Sequence, residues 1–186
     1  MRVIAGLFKG RILKTVSDLS VRPATDRVKQ TLFDMLANRV EMEGAHVLDL
    51  FAGSGSLGIE ALSRGAEHVV FVETNTDAIK FIERNVDALG CEGNVDIFPM
   101  DAMHYLRETQ EKYSVIFADP PYEFEETGTI PSVVFTHHRL ARHGYLLMEH
   151  ASSLSFQTTP LYNAGPEKKF GRTIVTFFQY PQHQEI

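Results

Sequence analysis

The sequence predicts an α/β fold: a mostly parallel sheet with helices on both faces, finished by an antiparallel pair of strands. Three observations carry this reading. From Val47 onward, short β-rich runs alternate with amphipathic helical stretches, the pattern of successive strand–helix–strand units. The runs "VVFV" and "VIFA" are apolar without interruption, as strands buried on both faces are. The final stretch, "EKKFGRTIVTFFQY", reads as two strands around Gly171-Arg172 with no helix between them, hence antiparallel.

The elements follow in order. Residues 2–15, "RVIAGLFKGRILKT", read as two short β-rich runs around a Lys9-Gly10 turn, a hairpin. The link "VSDLSVRPATD" is extended, because Pro23 keeps Arg22 out of the helical region. A helix then starts at a Thr25 or Asp26 cap. Val28, Leu32, Met35 or Leu36, and Val40 share its apolar face, and Arg27 and Lys29 its polar one. "HVLDLF" is a strand and "SLGIEALSRG" a helix closed by Gly65. "HVVFVE" is the next strand, and "TDAIKFIERNVDALG" a helix closed by Gly90, striped by Ala78, Ile79, Ile82, Val86 and Leu89. "NVDIFP" is a strand, "DAMHYLRET" a short helix, and "YSVIFAD" a strand that runs into Asp119-Pro120-Pro121-Tyr122. A helix is expected from about Pro131 through "SVVFTHHRLA", followed by the strand "GYLLMEH".

Composition narrows the class. The chain has 186 residues, 44% apolar and 23% charged, which suits one domain with a buried core. The single cysteine, Cys91, permits no internal disulfide and points to a reducing compartment, the cytoplasm. No apolar run approaches the roughly 20 residues of a membrane span, and no signal peptide is expected. Net charge is −6, yet residues 1–40 carry eight Lys/Arg against three Asp, or +5, leaving −11 for the remainder. A basic arm on an acidic body suits a polyphosphate partner; a solvated basic edge is the plainer alternative.

The chemistry concentrates at strand ends, where ligands bind in open α/β sheets. "LDLFAGSGSLGIE" holds Gly53-x-Gly55-x-x-Gly58, and Glu73 follows Gly53 by 20 residues. Glycines let backbone approach a ligand, and a strand-end Glu can accept both hydroxyls of a ribose, so the loop spells a nucleoside cofactor. Three features favour S-adenosylmethionine over NAD. Asp49 lies four residues before Gly53, where a carboxylate repels a pyrophosphate but suits a sulfonium and an amino group. Asp101, in "FPMDA", can accept from an adenine amine, with helix capping as the competing role. "ADPPY" then ends the fourth strand. Paired prolines lock φ and fix the carbonyls beside them, so Asp119 and Pro120 can together hold one exocyclic amine while Tyr122 stacks on its base. An aryl amine is a poor nucleophile, and orienting its lone pair toward a methyl donor is catalysis by positioning.

These residues bring the chain close to a known group. It resembles the class I S-adenosylmethionine-dependent methyltransferases, and more narrowly the 16S rRNA guanine-N2 methyltransferases of the RsmD type. "RVIAGLFKGRIL", "RPATDRVKQTLFDML", "VLDLFAGSGSLGIEALSRGA", "DPPY", "MEH" and "KKFGRTIVTFF" carry the resemblance over almost the whole length. It implies a Rossmann-like fold with a mostly parallel seven-stranded sheet, a C-terminal antiparallel hairpin, and an N-terminal arm (1–20) on a methyltransferase domain (21–186). Thr25, Arg27, Asp49, Phe51, Gly53, Gly55, Glu73, Asp101 and Ala102 would then hold the cofactor. Asp119, Pro120, Pro121 and Tyr122 would hold the target guanine, flipped or already unpaired. Arg2, Lys9, Arg11, Lys14 and Arg22 would meet rRNA, free or within a small-subunit assembly intermediate. Ala5-Gly6 departs from the paired glycines usual at the hairpin.

Other readings stay open on residues alone. "DPPY" equally suits adenine-N6, cytosine-N4 or protein-glutamine methylation, and an idle cofactor-binding RNA chaperone or an NAD oxidoreductase would keep the glycine loop. No metal is expected: His137 and His138 are adjacent, so on a helix they point about 100° apart. Glu149, at the fifth strand's end, is either near the pocket or a plain strand-end carboxylate. The Lys168, Lys169 and Arg172 turn is either a second phosphate contact or solvated. A monomer is expected.

Overall fold

The computed structural model describes residues 1–15 and 26–181. Seven strands form one sheet: β1 (His46–Leu50), β2 (His68–Val72), β3 (Val95–Phe98), β4 (Tyr113–Ala118), β5 (Leu140–Ala151), β6 (Asn163–Phe170) and β7 (Thr173–Gln179). Their spatial order is β3-β2-β1-β4-β5-β7-β6. The first five run parallel, and β7 pairs antiparallel with both β5 and β6. The chain winds outward from β1 to β3, then returns to β4 on β1's other side. That reversal makes the β1/β4 boundary the switch point, where the crossovers part and leave a crevice.

Five helices cover the sheet: α1 (Asp26–Ala37), α2 (Ser56–Ser63), α3 (Thr76–Leu89), α4 (Ala102–Glu108) and α5 (Ile130–Thr136). On one face, Leu32, Phe33 and Leu36 of α1, Ile59 and Leu62 of α2, and Ile82 and Val86 of α3 pack on Val47, Phe71, Phe117, Leu147 and Phe177. On the other, Met103 and Leu106 of α4 and Val134 and Phe135 of α5 pack on Leu48, Leu50, Val70, Ile116 and Phe178. Alternate residues of β1 thus go to opposite cores, which explains the uninterrupted apolar strands. Local signals set the ends of α3: the Asn75 side chain accepts from the N–H groups of Asp77 and Ala78, and Gly90 closes the helix at φ 67°. No helix among the described residues is long and apolar enough to cross a membrane.

Three expectations change. The fifth helix does not run through His137–Ala141. It stops at Thr136, His138 takes a left-handed φ of 57°, and β5 already begins at Leu140. The N–H of Arg139 bonds back to the Val134 carbonyl, and its buried guanidinium Nε donates to the Leu106 carbonyl at 2.9 Å. That tertiary anchor ends the helix where no glycine announces it.

Lys29 is not on a polar face either. It is fully buried; its Nζ donates to the Arg2 carbonyl at 2.7 Å and lies 3.5 Å from Glu60 Oε2. Finally, the N-terminal segment does pair its two runs as a hairpin, Val3 N–H to the Arg11 carbonyl and Leu13 N–H to the Met1 carbonyl at 2.9 Å, but through the single bridge of Arg2 with Ile12 rather than as two regular strands. It is bolted down by polar groups on α2. Glu60 accepts from the N–H groups of Ile4 and Ala5, and the Ser63 hydroxyl accepts from Phe8 N–H. Gly6, at φ 79°, approaches so closely that a Cβ would lie 1.6 Å from the Ser63 carbonyl oxygen. Val3 and Leu13 enter the core beside α1.

Candidate active site at the mouth of the sheet

The loop after β1 supplies the floor. Phe51, Gly53 and Gly55 all take positive φ, of 56°, 55° and 75°, and Gly55 leads directly into α2. The third glycine, Gly58, has a packing role. A Cβ there would lie 2.3 Å from Phe71 Cε1, so the helix can lie against β2 only without one. Asp49 sits under this turn, buried on the α1–α3 face, with its Oδ2 accepting the Gly58 N–H at 2.9 Å. Burial pushes its carboxyl up to about 8, and the carboxylates of Asp119 and Glu73 add to the shift. At neutral pH it therefore carries a proton, so its repulsion of a pyrophosphate waits on ionisation. A nearby cation would restore its charge.

Glu73, just past β2, reaches back to the loop. Its Oε2 accepts the Gly53 N–H, and its Oε1 accepts those of Thr74 and Asn75, all at 2.8 Å. Oε1 thus already takes two donors, and Oε2 keeps acceptor capacity for a further one. Asp101 caps α4 through Oδ1, which accepts the His104 N–H at 2.8 Å, leaving the rest of its exposed carboxylate free to face the cleft. Capping and ligand contact are thus compatible.

These residues converge. A cleft of about 170 Å³ is lined by Phe51, Val72, Glu73, Thr74, Met100, Asp101, Ala102, Pro121 and Phe124. The expected cofactor residues Phe51, Glu73, Asp101 and Ala102 meet Pro121 of the "DPPY" turn in one hollow, although they derive from four separate strand ends. Val72, Thr74, Met100 and Phe124 complete it and escape the sequence reading. Phe124 had a faint signal: an aromatic three residues past paired prolines. Its ring lies edge-on to Phe51, 5.0 Å between centroids, and its N–H bonds to the Pro121 carbonyl at 2.9 Å. That bond closes the "DPPY" turn, while Tyr122 projects outward with 66% of its surface exposed.

Asp119 faces a second, smaller hollow of about 10 Å³, walled by Leu32, Leu57, Phe117, Ala118, Leu147 and Val175, with Glu149 beside it. Burial among these apolar groups, and then the Glu149 charge, push the Asp119 carboxyl up.

The remaining expected residues scatter. Arg27 is exposed in the first turn of α1 and lines neither hollow, and Thr25 and Arg22 lie outside the described residues. Arg2, Lys9, Arg11 and Lys14 are all exposed on the N-terminal arm. Two of them are partly engaged: Arg2 pairs with Asp26 at 3.2 Å, and Arg11 Nη2 donates to the Ala88 carbonyl at 2.8 Å. Leu7 and Ile12 stand exposed among them, at 82% and 84%. Among the described residues, no group of three or more His, Cys, Asp or Glu could hold a metal ion.

The profile of the family described as "Conserved hypothetical protein 95" matches residues 1–179. The chain is 37% identical over 162 residues to "Putative rRNA methyltransferase YlbH" of Bacillus subtilis, spanning 86% of this chain and 87% of that one. It is 38% identical over 127 residues to "Ribosomal RNA small subunit methyltransferase D" of Haemophilus influenzae, spanning 67% of this chain and 65% of the relative. The solved structure "Putative methyltransferase yhhF from Escherichia coli" superposes with a TM-score of 0.85 at 28% identity, over 98% of this chain and 99% of that one.

Proposed function

The chain belongs to the conserved hypothetical protein 95 family, and from that premise we propose that it is an S-adenosylmethionine-dependent methyltransferase acting on the exocyclic N2 amine of a guanine in 16S rRNA. The observation that carries the reading is the convergence of Phe51, Glu73, Asp101 and Ala102 with Pro121 in one cleft at the β1/β4 switch point. A nucleoside site and a rigid amine-binding turn are there joined by a shared wall.

The donor set fits the cofactor. Glu73 suits the ribose hydroxyls, Asp101 the adenine amine, and Phe51 and Phe124 offer apolar surface to the base. Gly53 leaves open space where any Cβ would stand. Asp49, protonated when buried alone, suits a site that receives positive charge. When bound, the cofactor supplies a methyl group on a positively charged sulfur. The protein's own contribution is positional: the Asp119 carboxylate and the Pro120 carbonyl accept the two N–H groups of the guanine amine, and the exposed Tyr122 ring stacks on the base. Thr25 and Arg27 would close the cofactor side. The arm, through Arg2, Lys9, Arg11 and Lys14 with Arg22, would track rRNA phosphates in a small-subunit assembly intermediate. We read the active unit as a cytoplasmic monomer.

The test is transfer of labelled methyl from S-adenosylmethionine to small subunits purified from a strain lacking the endogenous activity, with primer extension to locate the base. Asp119→Ala is expected to abolish transfer while S-adenosylmethionine affinity, measured by calorimetry, changes only a few fold. Transfer that survives Asp119→Ala, or a methylated base other than guanine, would overturn the assignment.

A further inference from the structure

Two carboxylates meet behind the "DPPY" turn. β4 and β5 pair in parallel with Ala118 opposite Met148, where neighbouring strands lie about 4.8 Å apart, and Asp119, just past β4, and Glu149 of β5 are the residues that follow that pair. Both line the same small hollow, whose remaining walls are apolar. Among the described residues, no hydrogen bond or ion pair reaches either carboxylate. Among the described residues, Asp49 of β1 brings a further carboxylate within reach of the Asp119 charge. β7 contributes Val175, α1 Leu32 and α2 Leu57. The nearest cation in the row is the exposed Lys168 of β6, aligned with Val175 and so two strands from Glu149. Lys29 of α1 is engaged with Glu60 instead.

Amine methylation must shed a proton. The guanine N2 lone pair forms a bond to the methyl carbon, and the carbon–sulfur bond breaks with its electron pair staying on sulfur. The nitrogen then carries a methyl, two hydrogens and a positive charge, and one proton must leave to give the neutral methylated base. We propose that Asp119 and Glu149 work as one acid–base unit, in which Asp119, against the target amine, takes up this proton and Glu149 is the positioning residue behind it, whose charge favours the protonated form of Asp119. The proposal rests on the amine-methylation reading above. An unpartnered carboxylate that is half-buried among Leu32, Leu57 and Leu147 with a second negative charge beside it, as Asp119 is, binds a proton more readily than an isolated one. Asp119 is pushed up by these same two causes.

The isosteric Glu149→Gln variant tests this by two readouts. The first is the titration of the Asp119 carboxyl by carbon-13 NMR, assigned with Asp119→Asn and needing no substrate. Its midpoint is expected to fall by at least one pH unit in Glu149→Gln and to stay within half a unit of wild type in Glu149→Asp. The second is the pH profile of methyl transfer. Its acid limb, set by ionisation of Asp119, is expected to move to lower pH by the same amount. An unchanged NMR midpoint in Glu149→Gln overturns the pair, whether or not the protein methylates rRNA. A shifted midpoint with no rRNA methylation by wild type leaves the pair intact and refutes the functional reading instead. A shifted midpoint with an unmoved acid limb overturns the catalytic role of the pair.

Discussion

Asp49 is the most revealing residue to perturb. It is buried, its carboxyl is pushed from 3.8 to about 8, and among the described residues it accepts only the Gly58 N–H. Folding between these two values must therefore take up a proton. A group whose folded value is raised favours the folded state most at low pH, and that advantage is lost as pH climbs toward 8. The cost is about 1.4 kcal/mol per pH unit above 3.8, with a ceiling of about 4 kcal/mol at pH 7. Asp49→Asn keeps an oxygen for the Gly58 N–H but cannot ionise. Its amide adds a donor that burial leaves short of a partner, at about 1–3 kcal/mol, so the net gain at pH 7 is only about 1–3 kcal/mol. The slope escapes that offset. The stability difference between variant and wild type is expected to grow by roughly 3 kcal/mol from pH 5 to pH 7, since the unpaired-donor cost does not depend on pH. Urea unfolding followed by circular dichroism measures it at each pH. Parallel stability–pH curves for the two proteins would refute the reasoning, because Asp49 would then be ionised in the folded state.

Other perturbations probe separate parts of the fold. Gly58→Ala places a Cβ 2.3 Å from Phe71 and 2.7 Å from Val69 Cγ1, and is expected to cost about 1–3 kcal/mol in chemical denaturation; a neutral result would mean that α2 can lift off β2 freely. Lys29→Met leaves the buried Glu60 carboxylate with Arg64 alone as counter-charge among the described residues, and should cost about 3–5 kcal/mol and loosen hydrogen-exchange protection at Ile4 and Ala5. Binding of the cationic cofactor should release protons near pH 7 and tighten as pH rises toward 8, seen by calorimetry in buffers of different ionisation enthalpy; Asp49→Asn should reduce that release. Replacing Arg2, Lys9 and Arg11 together with Ala should weaken rRNA binding and flatten its salt dependence by about two to three counterions, fewer if the Arg2–Asp26 pair survives in the complex. An unchanged salt slope would remove the arm from rRNA recognition.

The sequence alone determined the order of strands and helices from β1 to β7, the glycine turn with Glu73 at the next strand end, and the rigid turn after β4. All three are local signals: period, paired prolines, and glycine where a side chain cannot fit. The spacing of "LDLFAGSGSLGIE" already implied a nucleoside, and Phe51, Glu73, Asp101 and Ala102 do share one cleft. Tertiary structure decided what depends on partners far along the chain. Lys29 reads as a surface residue at helical spacing, yet Glu60, 31 positions away, draws it inside. α5 ends early because Arg139 is anchored on Leu106, a contact no local pattern carries. Asp119 and Glu149 are 30 residues apart and become neighbours only through the β4–β5 register. The physical reason is common to all three. A periodic pattern reports which face a residue prefers, whereas the burial of a charge is settled by the specific opposite or like charge that the fold brings to it.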